Sequence, residues 1–331
     1  MRAVHVTRFG GPEVLEVREV PDPVAAAGEV VVDVAAADVM FLDTKLRSGW
    51  GTEFFAVEPP YVPGGAIAGV VTGVGPDVDP AWIGKRVATA TAASGIGGGL
   101  PIGGYAERAL AKAQTLIEVP DELTSAQAVA LTHDGRTSLA VFDRAALQPG
   151  EWVLITAAGG GLGTLLIQFA HAAGVRVIAA ARGSEKLRLA ERLGADAAID
   201  YSQPDWVDKA RAETGGAGVN VVLDGAGGEL GRAATDTLAD GGRFIGYGSA
   251  AGNFADLDRA ALAARDVVIL GLFDITGENT DWHALADRAQ SALVAGEIEV
   301  VIGQTFTLDQ AVEAHAAIEN RTALGRTLIT N

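Results

Sequence analysis

Ala157, Gly160 and Gly163 stand at A-x-x-G-x-x-G spacing in AAGGGLG, between the strand-like run WVLIT and an apolar run at helical spacing, GTLLIQFAHAAG. Small residues there let the backbone approach a pyrophosphate, seat the helix close to the strand and aim its first amides at phosphate oxygens. The chemistry this predicts is dinucleotide binding. At the end of the next run, VRVIAA, a NAD-binding chain places an acid on the ribose hydroxyls. Here Ala181 and Arg182 stand in that place, with Ser184 and Lys186 close behind. Alanine leaves room for a 2′-phosphate, and the cations can pair with a dianion, so these residues favour NADPH over NADH. The plain alternative is that Arg182 and Lys186 are solvated surface cations.

Such a turn needs a parallel sheet beneath it. From about residue 125 the chain alternates strand-like runs with amphipathic helical runs: WVLITAA, GTLLIQFAHAAG, VRVIAA, SEKLRLAERLGA, AAID, DWVDKARAETG, VNVVLDGAG, ELGRAATDTLADGG and RFIGYG. This alternation predicts a doubly wound α/β sheet. Residues 1 to about 123 read instead as short strands punctuated by glycine and proline. From about 265, RDVVILGLFD supplies one more strand, and helix, strand, helix and a closing strand follow. The stretch 91–104, rich in glycine and alanine, reads as a loop.

Composition narrows the partners. A chain of 331 residues with 49% hydrophobic and 20% charged residues is ordinary for a globular protein of two domains or one large α/β domain. A formal net charge of −17 opposes nucleic acid and anionic membranes as main partners. The chain has no cysteine, hence no disulfide and no thiolate metal site, and its five histidines (His5, His133, His171, His283, His315) lack paired ligand spacing. The expectation is therefore no metal. The amino terminus does not read as a signal peptide, and no apolar run reaches the roughly 20 residues that cross a bilayer, so the expected location is cytoplasmic. No G-x-S-x-G elbow and no P-loop motif occurs, which disfavours a hydrolase or a P-loop kinase.

The order of motifs resembles the medium-chain dehydrogenase/reductase superfamily and, within it, the zinc-independent quinone oxidoreductases. The likeness is carried by GPEVLEVREVPDP, DTKLRSG, PGGAIAGVVTGVGPDV, GGYAERA, LQPGEWVLITAAGGGLG, VNVVLDGAGG, GGRFIGYGSAAG and FTLDQAVEAHAAIENRTALGR. It implies a GroES-like β-rich catalytic domain over 1–123 and 265–331, a Rossmann NADPH-binding domain over 124–264, and an active site in the cleft. It further implies pyrophosphate contacts from Gly160, Gly161 and Leu162, 2′-phosphate contacts from Arg182, Lys186 and Tyr201, and a nicotinamide end near Thr137, Tyr247 and Phe273. The two aromatics could equally be core. Zinc-dependent relatives carry a cysteine near ADVMFLD and a Gly-His-Glu where this chain has Gly64-Gly65-Ala66. With no residue to hold the Lewis acid, zinc-activated alcohol oxidation is not expected.

Two departures shape the expected substrate site. Met40-Phe41 replaces the family's Asn-Pro, and Trp50 stands near the place of a tyrosine implicated in protonation by enoyl-thioester reductases. An apolar pocket of Met40, Phe41, Trp50 and Tyr61 suits a flat quinone, which needs little acid help. If an acid exists, the pair His133-Asp134, ahead of GRTS, is the candidate, with Arg136 able to act electrostatically. A turn histidine and aspartate that only cap a helix or face water is the alternative. The expectation is thus an NADPH-dependent, zinc-independent reductase of quinones or related conjugated carbonyls, acting on a small molecule and assembled as a homodimer through VVILGLFD. The alternatives are a 2-enal or enoyl-thioester C=C reductase and a non-catalytic NADPH-binding protein.

Overall fold

The computed structural model describes residues 1–275, 277 and 280–331. In chain order the elements are β1 (Arg2–Val6), β2 (Leu15–Glu19), β3 (Glu29–Val39), α1 (Phe41–Arg47), β4 (Ala66–Val74), β5 (Arg86–Ala90), α2 (Thr91–Ser94), β6 (Arg108–Lys112), β7 (Ile117–Glu118) and α3 (Ser125–Ala145). Then follow β8 (Trp152–Thr156), α4 (Gly161–Ala172), β9 (Arg176–Ala181), α5 (Ser184–Arg192), β10 (Ala197–Asp200), α6 (Trp206–Glu213), β11 (Val219–Asp224), α7 (Gly228–Ala234), β12 (Leu238–Gly246), α8 (Arg259–Ala263), β13 (Val268–Gly271) and α9 (Leu272–Ile275). The chain closes with α10 (Trp282–Val294), β14 (Ile302–Phe306), α11 (Ala311–Glu319) and β15 (Arg326–Thr330).

The chain divides into two compact units, residues 1–133 with 300–331, and residues 134–299. The first is built on a sheet of order β14-β15-β3-β4-β5-β7, with β6 also paired to β3. Its centre is β3, whose alternating pattern in EVVVDVAAADV buries every second residue at its start before both faces become buried near its end. The carboxy-terminal β15 pairs antiparallel with β3, so the last strand completes a sheet begun by the first hundred residues. Val4, Val30, Val32, Ile67, Val71 and Tyr105 fill the core beneath it.

The second unit carries a parallel sheet of order β10-β9-β8-β11-β12-β13. Its central strands are continuous apolar runs because helices cover both faces. The strand order reverses between β8 and β11, and in such sheets ligands bind outside the carboxyl ends at this switch point.

Three expectations differ from the structure. Residues 265–299, expected with the GroES-like domain, belong to the unit of the parallel sheet, because β13 pairs in parallel with β12, Phe244 opposite Ile269. The stretch around His133-Asp134 is not a turn: 125–145 is one helix, opened by a reciprocal cap in which Thr124 N–H donates to Gln127 Oε1 at 2.9 Å and Gln127 N–H to Thr124 Oγ1 at 3.2 Å. Gly135 sits inside that helix at the ordinary cost of about 1 kcal/mol relative to alanine. The 91–104 stretch is not all loop, since a single helical turn, α2, starts it.

Candidate functional site: a dinucleotide turn and an apolar wall

The turn after β8 forms as its residue types predict, with one inversion. Ala157, not a glycine, takes the left-handed conformation, at φ 52°, and its carbonyl accepts the Gly160 amide at 3.0 Å. Gly160 then opens α4 with no capping side chain, so its place at the helix start is left to backbone. Gly163 is required by space: a Cβ there would lie 2.8 Å from the Ala157 carbonyl oxygen and from Ala158 Cα. Gly161 and Leu162 supply the first residues of α4.

On the neighbouring strand Ala181 is buried, and Arg182 and Ser184 are exposed beyond it. An acid beside this loop is Asp200, at the end of β10, and it accepts three hydrogen bonds. Its Oδ1 accepts the Ser202 hydroxyl at 2.6 Å and amide at 2.9 Å, and its Oδ2 accepts the Gly183 amide at 3.3 Å. Burial opposes the charge, but the Ser202 and Gly183 donors and the Arg182 cation hold this carboxyl below its ordinary value. Lys186 is half-buried in the first turn of α5. Tyr201 is only 9% exposed and packs in the core with Leu154, Ile178 and Trp206, so its ring belongs to the interior.

At the switch point lies a residue that the motifs did not single out. Asp224 ends β11 fully buried and accepts the Thr156 hydroxyl at 2.6 Å across to β8, together with the amides of Ala226 at 3.1 Å and Gly227 at 3.2 Å. Burial lifts its pKa, against those donors. Thr156 Oγ1 in turn accepts the amides of Gly225 and Ala226 at 3.0 and 3.1 Å. The Tyr247 hydroxyl donates to the Thr156 carbonyl at 3.4 Å and covers Gly225, where a Cβ would lie 2.7 Å from it. Tyr247 thus lies at the carboxyl ends of β8 and β11. Phe273 is placed otherwise: it is 85% exposed on α9, beside the edge strand β13. Thr137 lies half-buried in α3, Asp134 is buried there, and the Arg136 guanidinium stacks 5.0 Å from the Trp282 ring centroid.

The substrate-site residues of the first unit converge only in part. The Lys45 ammonium lies 5.5 Å from the Phe41 ring centroid and 5.9 Å from that of Trp50, which ties the two aromatics together. Met40 lies against Gly65, where a Cβ would stand 2.0 Å from the Met40 Cε. His133 Nε2–H donates to the Gly65 carbonyl at 2.9 Å. Tyr61 does not join this wall: it is 8% exposed, bridges to Val6 in the core, and its hydroxyl lies in the field of Asp43 and Arg47. Side-chain type alone could not tell which way that ring turns.

Behind Met40 sits a buried polar group that spacing along the chain does not show. Asp43 Oδ2 accepts the Met40 amide at 2.8 Å and the Tyr105 hydroxyl at 3.2 Å, and Tyr105 meets His315 Nε2 at 3.3 Å. Arg47, 1% exposed, pairs with Glu319. Burial, then the neighbouring Asp38, pushes the Asp43 carboxyl up to about 8, and burial, then Arg47, pushes His315 down to about 3. Between about pH 4 and 6.5 the unfolded chain has lost the Asp43 proton and gained one on His315, so the two terms oppose each other. Above pH 6.5 only Asp43 still holds an extra proton in the folded state, and stability falls until about pH 8, by about 2 kcal/mol. Asp43→Asn should remove that fall, which denaturant titrations at pH 6.5 and 8 would show as a pH-independent midpoint.

The positions that the resemblance gives to zinc ligands, beside Met40 and at Gly65, meet as a thioether methyl group and a residue with no side chain. Among the described residues no group of three or more His, Cys, Asp or Glu could hold a metal ion. This donor set does not fit zinc. Nor is any helix among the described residues long and apolar enough to cross a membrane.

Comparison with known proteins agrees with this geometry. The family model described as alcohol dehydrogenase GroES-like domain matches residues 26–121, and the one described as zinc-binding dehydrogenase matches residues 161–291. A 2-haloacrylate reductase from Burkholderia is 32% identical over 98% of this chain and 97% of its own length. Human quinone oxidoreductase is 31% identical over 96% and 94%. Among solved structures, a mycobacterial protein complexed with NADPH is 32% identical, with TM-score 0.86 and all of both chains covered. The Escherichia coli quinone oxidoreductase complexed with NADPH is 26% identical, with TM-score 0.89 and the same coverage. With a GroES-like unit, a dinucleotide turn at the switch point of a parallel sheet, and relatives aligned along almost its whole length, this chain belongs to the quinone oxidoreductase family of the medium-chain dehydrogenase/reductase superfamily.

Proposed function

We propose that this chain is an NADPH-dependent reductase of quinones or related conjugated carbonyls. The observation that carries the reading is the end of β9, where buried Ala181 leaves space and Arg182, with Lys186 on the next helical turn, supplies positive charge in place of a ribose-binding acid. Asp200 lies on the next strand, at the end of β10, with its oxygens accepting hydrogen bonds from Ser202 and Gly183. The NADPH of the mycobacterial and Escherichia coli relatives supports the same assignment.

The residues present fit that coenzyme. Gly161 and Leu162 would take the pyrophosphate on backbone amides, with Gly160, whose amide is held by the Ala157 carbonyl, leaving the backbone room to approach it; Arg182, Ser184 and Lys186 would take the 2′-phosphate, and Tyr247 and Thr137 the nicotinamide end. When bound, the reduced nicotinamide supplies a hydride. Met40, Phe41 and Trp50 offer a flat acceptor an apolar wall. Lys45, held over both rings, adds a positive charge beside that wall. His133 spends its Nε2–H on Gly65, which assigns it to holding the Met40 wall. A hydroquinone anion takes its proton from water, so neither His133 nor Asp134 is needed as an acid.

The second reading is reduction of a C=C bond conjugated to a carbonyl, as in a 2-enal or enoyl thioester. It is favoured by the likeness to 2-haloacrylate reductase. A panel of quinones, 2-alkenals, 2-haloacrylates and an enoyl thioester, followed by loss of the reduced-nicotinamide absorbance, separates the two. Turnover of quinones supports the first reading, and turnover of the alkenes alone replaces it with the second.

We further propose a homodimer formed through β13. This strand is an edge of the parallel sheet and exposes Val268, and Phe273 and Phe254 are exposed large hydrophobic residues of the same unit. Val268→Lys should give a single-chain mass by sedimentation at a concentration where the parent chain sediments as two copies. A parent chain of single mass contradicts the proposal.

A further inference from the structure

The helix α1 faces two ways. Phe41 and Lys45, one turn apart, share its half-buried side with the apolar wall. Asp43 and Arg47, also one turn apart, share the other side and are each 1% exposed. Such a polar pair on a short helix ordinarily faces water. Here it meets a second pair of the same spacing, because α1 packs against α11, where His315 and Glu319 stand one turn apart.

Glu319 pairs with Arg47. His315 Nε2 lies 3.3 Å from the Tyr105 hydroxyl, which donates to Asp43 Oδ2 at 3.2 Å. The same oxygen accepts the Met40 amide at 2.8 Å, and Met40 holds the extended backbone, φ −92° and ψ 155°, from which α1 starts. The Asp43 carboxyl thereby sets the direction in which the chain enters the helix, and with it the place of the Met40 and Phe41 side chains. Among the described residues Asp43 Oδ1 and Arg47 Nε and Nη1 have no hydrogen-bond partner. Buried groups with open hydrogen-bonding atoms cost the fold stability, so what this set supplies is a fixed placement of α1 against α11.

We propose that Asp43, seated by Tyr105, is a positioning residue for the electron acceptor: it holds the Met40 amide and so fixes the apolar wall against which the acceptor lies. The inference rests on the acceptor reading above and goes beyond it in giving the placement of the wall to fully buried residues behind it.

The test compares Asp43→Leu, Asp43→Asn and Tyr105→Phe in the full chain, with Met40→Ala as a reference. Steady-state kinetics vary in turn NADPH and the acceptor, a simple quinone or a 2-alkenal, whichever the parent chain reduces. Asp43→Leu should raise the KM for the acceptor about fivefold, the worth of one buried hydrogen bond, and leave kcat and the KM for NADPH within about twofold. Asp43→Asn keeps an oxygen for the Met40 amide and should recover most of that change. Tyr105→Phe should raise the acceptor KM about threefold, and adding it to Asp43→Leu should change nothing further, since both act through one amide. A fall in kcat alone is loss of folded protein, and an equal rise in both KM values is a general loosening; either result overturns the proposal. If Asp43→Leu fails to fold, Tyr105→Phe decides, because it removes one oxygen and keeps the ring: an unchanged acceptor KM then overturns the proposal. A parent chain that reduces neither acceptor, or Met40→Ala with an unmoved acceptor KM, refutes the acceptor reading itself. An effect of Met40→Ala with none of Asp43→Leu refutes the positioning role alone.

Discussion

Replacing Arg182 and Lys186 together by alanine should raise the KM for NADPH about 100-fold and leave that for NADH within about threefold. A dianionic phosphate held by two cations gains on the order of 1.5 kcal/mol from each charge-assisted hydrogen bond, and two such losses make about 3 kcal/mol, or about 100-fold. NADH carries only a neutral 2′-hydroxyl at this place and has no charge pair to lose. Arg182 is exposed, so its share is screened, and the preference of the unchanged protein should narrow as salt is raised from about 0.05 to 0.5 M. Equal changes for the two coenzymes would mean that Arg182 and Lys186 are surface cations. Steady-state kinetics with both coenzymes at fixed acceptor measures the difference.

Asp224→Ala should cost the second unit about 3 kcal/mol and, unlike the change above, weaken NADPH and NADH alike. The carboxylate ends β11 and binds the Thr156 hydroxyl and the amides of Ala226 and Gly227, all buried. Alanine leaves the Thr156 hydroxyl and the Gly227 amide without their acceptor in a site with no open water, at about 1–3 kcal/mol for each such group. The room also empties beside Gly231, where Asp224 Oδ2 now lies 2.2 Å from a would-be Cβ. Asp224→Asn keeps one acceptor oxygen and should lose about 1 kcal/mol. Calorimetry should show the larger loss as a melting temperature lower by about 8 °C. An unchanged melting temperature would mean that the 225–228 loop holds its shape without this anchor.

The parallel sheet was legible because strands buried on both faces leave continuous apolar runs, and the helices between them keep an amphipathic period. The phosphate turn was legible because its small residues recur every third position over seven residues. The boundary near 265 was not, because RDVVILGLFD has the same composition whether it joins the parallel sheet or the returning carboxy-terminal segment. Its neighbour β12 decides the matter, and pairing between strands is not written in either strand alone. The helix over 125–145 was hidden by Gly135 in a stretch read by motif as a turn, although Thr124 and Gln127 carried its start signal.

The polar groups of the interior were the least legible. Tyr105 is 62 residues from Asp43 and 210 from His315, and Arg47 is 272 from Glu319. No periodicity links positions so far apart, and only the fold brings them together. The thirteen residues from Met40 to Thr52 contain both kinds of information: Met40, Phe41 and Trp50 could be recognised as an apolar set, while Asp43 and Arg47 gave no sign that they anchor it from behind. Asp224 stood in plain view at the end of VNVVLD, but its partner Thr156 lies 68 residues earlier and nothing in the turn motif points to it.

NADPH specificity can be read from initial rates of NADPH and NADH oxidation with one simple quinone, at equal coenzyme concentration below saturation. Turnover with NADPH should be at least about tenfold faster than with NADH, the factor that one well-placed charge pair supplies. Equal rates, or turnover with NADH alone, would contradict that specificity and leave Arg182 and Lys186 as ordinary surface cations.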